Sequence, residues 1–211
     1  IALDVVAENW AGTLEIETAL DGAVVNANVA RYRNLAGRHL EPVASEARGE
    51  RLFLQMKTSQ SRLDVAQAAR TRVYRGDQRV DVDWTGQTRP DHARFRASLD
   101  VAAGETTRIE KVVALYTSRD QGISEPGLAA RETVDDLPRF AELLTGHELA
   151  WQQLWRRFSS DWKIADGQDE DHEQLVVKLH VFHLLQSVSI NTEDLDVGVP
   201  ARGWHGEGYR G

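Results

Sequence analysis

The chain reads as a mainly β, then α protein: an antiparallel β-sandwich followed by helices and a glycine-rich loop. Three observations predict this. Short stretches of apolar–polar alternation, divided by turn residues and with no helical pattern between them, fill the chain up to Thr117. From about Thr133 the apolar spacing lengthens to that of a helix. After Asn191 periodicity gives way to a loop that ends Val199-Pro200-Ala201-Arg202-Gly203-Trp204-His205-Gly206-Glu207-Gly208-Tyr209-Arg210-Gly211.

The elements follow in order. Ile1 to Ala7 starts as though in mid-strand. Thr13 to Leu20 places Leu14, Ile16, Thr18 and Leu20 on one face, and Asp21-Gly22 turns the chain. Arg51 to Met56 is a strand and Leu63 to Gln67 a weaker one. Arg72-Val73-Tyr74 and Arg79 to Trp84 flank Gly76-Asp77 as a hairpin. Phe95 to Val101 alternates, Ala102 to Glu105 turns, and Thr107 to Thr117 makes one long strand. Outward polar residues suit sheets with one wet face, so Arg31-Tyr32-Arg33 and Arg70-Thr71-Arg72 read as solvated strand faces. A helix start is expected at Thr133 to Asp136, with Pro138 in the permitted first turn. Leu137, Phe140, Leu144, Trp151, Leu154, Trp155 and Phe158 continue it, across a weak point at Gly146. A second helix follows Asp166-Gly167. Its lead, Asp169-Glu170-Asp171, suits the positive end of the helix dipole, and it ends near Ser187 to Ser189.

Composition bounds the function. The 211 residues are 41% hydrophobic and 27% charged, enough for a core and unlike a disordered chain. A net charge of −8 argues against a nucleic-acid partner, which needs a basic face, and leaves small neutral ligands open. With no cysteine, disulfides, zinc–thiolate sites and thiol nucleophiles are excluded. No apolar run spans a bilayer, so no membrane partner is expected. Asp4 and Glu8 fall too early for a signal peptide, and a cytoplasmic location is expected.

Several stretches resemble glycoside hydrolase family 65, the maltose, trehalose and kojibiose phosphorylases and related trehalose hydrolases. The resemblance is strongest in Asp196-Val197-Gly198-Val199-Pro200-Ala201-Arg202-Gly203 and Gly206 to Gly211. Asp21-Gly22-Ala23-Val24-Val25-Asn26, Arg38-His39-Leu40 and Phe182-His183-Leu184-Leu185-Gln186 also carry it. The resemblance implies part of a large β-sandwich (a supersandwich), then a helical linker, then the first helix of an (α/α) toroid that holds the active site. On that scheme 1–131 is the later part of the sandwich, 132–160 the linker and 161–211 the start of the toroid, in an internal fragment of an enzyme. It implies inverting phosphorolysis of an α-linked glucose disaccharide of trehalose or maltose type, or inverting hydrolysis of the same substrates. No cofactor is implied, with inorganic phosphate as co-substrate if the enzyme is a phosphorylase. A non-catalytic interaction module, inactive alone, is the reading of another class.

The family's general acid and phosphate ligands lie beyond Gly211, so no catalytic residue is assigned. The substrate-binding candidates are Arg202, Glu207, Tyr209 and Arg210. Guanidinium forks suit paired acceptors, and Tyr209, like Trp204, offers a face to a pyranose ring. Salt bridges, loop bracing by Glu207 and packing of the aromatic rings are the simpler roles for the same side chains. His172, His180 and His183 lack a further metal ligand at suitable spacing, and His183 reads as a core histidine. Trp151 and Trp155 read as linker core, and the acidic run from Asp166 to Asp171 as a solvated helix start rather than a calcium loop. A sandwich without its first strands leaves edges and apolar surface open, so a homo-oligomer or a companion fragment is expected.

Overall fold

The computed structural model describes residues 1–25, 34–35, 37–158 and 170–188. They fall into two compact units divided between Leu143 and Leu144.

The first unit is built on two antiparallel sheets. Nine strands form them: β1 (Ala2–Val6), β2 (Gly12–Asp21), β3 (Leu40–Arg48), β4 (Arg51–Thr58), β5 (Asp64–Arg75), β6 (Gln78–Val80), β7 (Thr85–Arg89), β8 (His92–Val101) and β9 (Thr106–Thr117). The larger sheet runs β1-β9-β5-β4-β3, with β6 paired to the end of β5, and the smaller runs β2-β8-β7. Three helices follow: α1 (Pro126–Asp136), α2 (Phe140–Phe158) and α3 (Glu170–Gln186). The mainly β, then α order is as the sequence predicts.

The alternation in β2 works as read: Ile16, Thr18 and Leu20 are buried. Leu20 joins Leu52, Leu54, Met56, Ala69, Ala93 and Phe95 in the core between the sheets. Phe53, Ala66, Ala68, Val112 and Ala114 point to the other face of the larger sheet, where Ala130 and Val134 of α1 cover them. That sheet is therefore apolar on both faces. This is why β4 and β5 are buried along most of their length instead of at alternate positions.

Four expectations for this first unit need correction. The segments Leu63 to Gln67 and Arg72 to Tyr74 are one strand, β5, because ladder bonds to β9 run from Val65↔Thr117 to Arg75↔Thr107. The strand expected from Arg79 to Trp84 stops at Val80. Trp84 instead packs on Phe95, 5.8 Å between ring centroids. Arg70 and Thr71 are not solvated. Arg70 is 6% exposed and donates to the Asp135 carbonyl at 2.7 Å and the Leu137 carbonyl at 2.5 Å, while Thr71 meets Thr18 between the sheets. Those two carbonyls are orphans at the end of α1, so the buried guanidinium closes a helix C-terminus.

The fourth correction concerns α1 itself. Thr133 to Asp136 is a helix end, not a start. Leu137 is extended (φ −59°, ψ 135°), as a residue before proline prefers, and Pro138 cannot continue a helix. The true start is Glu125-Pro126: the Glu125 carboxylate accepts from the Gly127 and Leu128 N–H groups, and proline takes the first helical position. Helix α1 then docks by the Arg131 guanidinium, 3.5 Å above the Phe53 ring, and by a 2.9 Å bond between the Tyr116 and Thr133 hydroxyls.

Where the chain passes to α2, Arg139 stacks 4.1 Å from the Tyr74 ring and pairs at 3.2 Å with buried Glu110. In the second unit Trp151 lies 5.0 Å from Phe182 and 6.3 Å from Trp155, so these rings pack as a small aromatic cluster between α2 and α3. His183 is exposed rather than a core residue. Leu175 and Leu179 of the same stripe are exposed too, so that face of α3 is largely uncovered among the described residues.

Candidate functional site

The segment that carries the substrate-binding candidates Arg202, Glu207, Tyr209 and Arg210 lies outside the described residues, as does Arg31-Tyr32-Arg33. Two other segments singled out in the sequence, Asp21 to Val25 and Arg38 to Leu40, come together. Asp21, Ala23 and Arg38 line one cleft of about 430 Å³ at an end of the smaller sheet.

The strand ladder explains the meeting. Asp21 closes β2 opposite His92, the first residue of β8, and β8 pairs in turn with Arg89 at the end of β7. Thus β7 and β8 present Thr88, Arg89, Asp91, His92 and Arg94 to the same space. Local bonds hold its walls. The Asp21 carboxylate accepts from the Ala23 N–H at 2.8 Å, and the Gly22 N–H donates to the Asp91 carbonyl at 2.8 Å. Ser45 of β3 donates to the Arg89 carbonyl at 2.7 Å. The His39 carbonyl accepts from the Ser59 N–H at 2.8 Å, which fixes the backbone next to Arg38.

The charges are unequally committed. Arg94 is held by the Gln87 amide oxygen and lies 3.8 Å from Glu17. A hydrogen bond from Arg96, with Arg94 and His92 adding their charge, holds the Glu17 carboxyl below its usual range. Elsewhere in this unit Arg51, Arg72, Arg75, Arg79, Arg108 and Arg139 each face a carboxylate. The Arg38 and Arg89 side chains do not: among the described residues neither has an ion pair or side-chain hydrogen bond, and both are exposed on the cleft. This arrangement presents guanidinium donors to an anion and polar groups to hydroxyls. It contains no nucleophile–base pair.

Among the described residues no group of three or more His, Cys, Asp or Glu side chains is placed to hold a metal, and no helix is long and apolar enough to cross a membrane. The sequence reading valued the two cleft segments only as part of a resemblance. The signal that they meet, a turn at the end of β2 facing the β7–β8 hairpin, lies in strand register.

Residues 1–154 match the family described as glycosyl hydrolase family 65, N-terminal domain. An uncharacterized glycosyl hydrolase of Mycobacterium tuberculosis is 38% identical over 204 residues, covering 97% of this chain and 15% of that protein. The kojibiose phosphorylase of Halothermothrix orenii is 24% identical, covering 99% of this chain and 26% of the enzyme. The trehalose 6-phosphate phosphorylase of Lactococcus lactis is 26% identical, covering 94% and 24%. The chain thus spans about a quarter or less of the length of these curated relatives. Among solved structures, a human-microbiome protein assigned as a kojibiose phosphorylase superposes with a TM-score of 0.62 at 17% identity, over 84% of this chain and 21% of that one. That likeness concerns the fold alone.

Proposed function

The chain belongs to glycosyl hydrolase family 65, and we propose that the enzyme it serves cleaves an α-linked glucose disaccharide by inverting phosphorolysis. The observation that carries this reading is the alignment of nearly the whole chain with two disaccharide phosphorylases. In that reaction a carboxylic acid gives its proton to the glycosidic oxygen as the C1–O bond breaks. A phosphate oxygen bonds to C1 from the opposite face, so an α-linked substrate yields a β-sugar 1-phosphate and a free sugar. Phosphate is itself the nucleophile, so one catalytic carboxyl suffices.

On this reading the present chain is scaffold. It carries the sandwich, and Arg202, Glu207, Tyr209 and Arg210 border the sugar site without performing its chemistry. A cytoplasmic setting, where phosphate is at hand, belongs to the same proposal. Hydrolysis is the second reading, favoured by the Mycobacterium tuberculosis relative, which is named a glycosyl hydrolase.

Association is part of the proposal. The smaller sheet packs over β3, β4 and β5. Val113 of β9 sits opposite Ala69 in the ladder and so shares the face of the inter-sheet core, yet it is 45% exposed. Leu115 and Leu3 are each 55% exposed on the same side, and among the described residues β2 has a free edge beside them. A strand added to that edge would cover the strip, and either a companion segment or another copy supplies one.

The test is product analysis on the full-length enzyme, with trehalose, maltose and kojibiose, with and without phosphate. Phosphorolysis gives β-glucose 1-phosphate by NMR, and only when phosphate is present. Equal glucose release without phosphate moves the assignment to the hydrolase, and no cleavage of any α-linked disaccharide refutes both. The 211-residue chain alone is expected to give no turnover.

A further inference from the structure

We propose that the cleft between the ends of β2, β7 and β8 binds a small sugar phosphate, with Arg38 and Arg89 on the phosphate group. The inference is independent of the disaccharide reading. It rests on three features of the cleft.

The first is uncommitted positive charge. In a chain of net charge −8, most arginines of this unit are tied to carboxylates or carbonyls. Among the described residues Arg38 and Arg89 have no such partner, and both line the same cleft, as His92 does. A planar guanidinium presents paired N–H groups at the spacing of phosphate oxygens, and phosphate has enough oxygens for two such forks.

The second is that neither carboxylate of the cleft, Asp21 or Asp91, pairs with Arg38 or Arg89. The Asp21 carboxylate already accepts from the Ala23 N–H, and Arg94 is held by Gln87 and Glu17. Asp91 remains, in the turn between β7 and β8. A carboxylate repels the phosphate but accepts from sugar hydroxyls, so it favours a ligand with its anionic and hydroxyl ends separated.

The third is size and fixity. The cleft holds about 430 Å³, within the roughly 300–1,000 Å³ of small-molecule sites and more than a bare phosphate occupies. Thr88 and Asp91 line the remainder with groups that pair with hydroxyls. Backbone bonds from Gly22 and to Arg89 fix the walls before any ligand arrives, which reduces the cost of ordering them.

The experiment is calorimetric titration of the 211-residue chain with glucose 6-phosphate, inorganic phosphate and glucose. Saturable binding of glucose 6-phosphate is expected, with inorganic phosphate weaker and glucose weaker still. A charge-assisted hydrogen bond supports an affinity change of about tenfold or more, so Arg38→Gln and Arg89→Gln should each weaken glucose 6-phosphate by about that factor. Both side chains are exposed and unpaired, so the variants should keep the wild-type far-UV circular dichroism. Arg119→Gln, at another exposed arginine without an ion pair, should leave binding unchanged. Absence of saturable glucose 6-phosphate binding overturns the proposal. So does equal weakening by Arg119→Gln, which would mean diffuse attraction. Inorganic phosphate binding as tightly as the sugar phosphate overturns the sugar part and leaves an oxyanion site.

Discussion

Gly86 of β7 lies close against Ala47 of β3 in the other sheet, and replacing it with alanine separates two opposing effects. Alanine restricts the unfolded chain, and at a position with ordinary backbone angles this alone stabilises by about 0.4–1 kcal/mol. Gly86 does not have a positive φ, so that gain is available. The folded state resists it. A Cβ at Gly86 would lie 2.9 Å from the Ala47 Cβ, 3.0 Å from the Ala47 carbonyl oxygen and 3.1 Å from Phe95 Cε1. None of these atoms is the free end of a flexible chain: two belong to β3 and the third to a ring that is 2% exposed. Overpacking of that kind costs about 1–3 kcal/mol. The net effect of Gly86→Ala is therefore a destabilisation of about 1–2 kcal/mol, or roughly 0.5–1 M in the urea midpoint at ordinary m-values. Equilibrium urea unfolding followed by circular dichroism measures it. Because Thr88 and Arg89 are on the same strand, the variant should also bind glucose 6-phosphate more weakly. An unchanged or raised midpoint would show that β3 and β7 do not meet at this distance, and the packing argument fails.

Other substitutions probe different terms. Gly146 lies inside α2 with nothing within 4 Å of a would-be Cβ, so Gly146→Ala should stabilise that helix by about 0.5–1 kcal/mol, read as slower amide exchange in 140–158. Asp4 is paired through both oxygens with Arg108, which holds its carboxyl below 3.8. A depressed carboxylate contributes stability above its unfolded value and loses it as pH falls through the folded one, so the stability gap between wild type and Asp4→Asn should close in acid. Lys111 is lowered from 10.5 by burial, its ammonium donating to the Ala19 carbonyl at 2.6 Å. Its unfolded form holds the proton longer, so urea midpoints of the wild type should gain relative to Lys111→Met as pH rises toward 10.5.

What was legible in the sequence follows from where each signal resides. Strands buried on one face declare themselves by alternation, as Ile16, Thr18 and Leu20 do in β2. Strands with no buried residue do not: β7, Thr85–Arg89, is exposed throughout, and β3 carries Pro42 and a register shift between Pro42 and Ala44. Both are held by ladder bonds to the next strand in the chain, closing at Arg48↔Arg51 and Arg89↔His92, and neither has a buried face to impose an alternation on its residues. Helix α1 was hidden differently. Its cap, Glu125-Pro126, is a weaker start signal than the Thr133 to Asp136 cluster. That cluster owes its acidic character to the α1 C-terminus, where Asp135 pairs with Arg51. The cleft was legible only as two fragments, since the β2–β8–β7 register places Asp21 beside Arg89 and His92, while Arg38 comes from the chain just before β3 in the other sheet.

The unequal sheets connect these points to the biology. The larger sheet has its second face covered by α1, but its inter-sheet face is longer than the three strands laid on it. The mismatch leaves Leu3, Val113 and Leu115 in water beside the free edge of β2. Each strand adds about 4.8 Å to a sheet, so covering β9 and then β1 asks for about two further strands on β2. The core as described is thus stable at its β4–β5 centre, where both faces are buried, and open at its β1 side. The association proposed above would cover that side. The proposed binding cleft lies at an end of the smaller sheet, where the β2–β8 and β7–β8 ladder bonds that place Asp21, Arg89 and His92 do not depend on the uncovered strip.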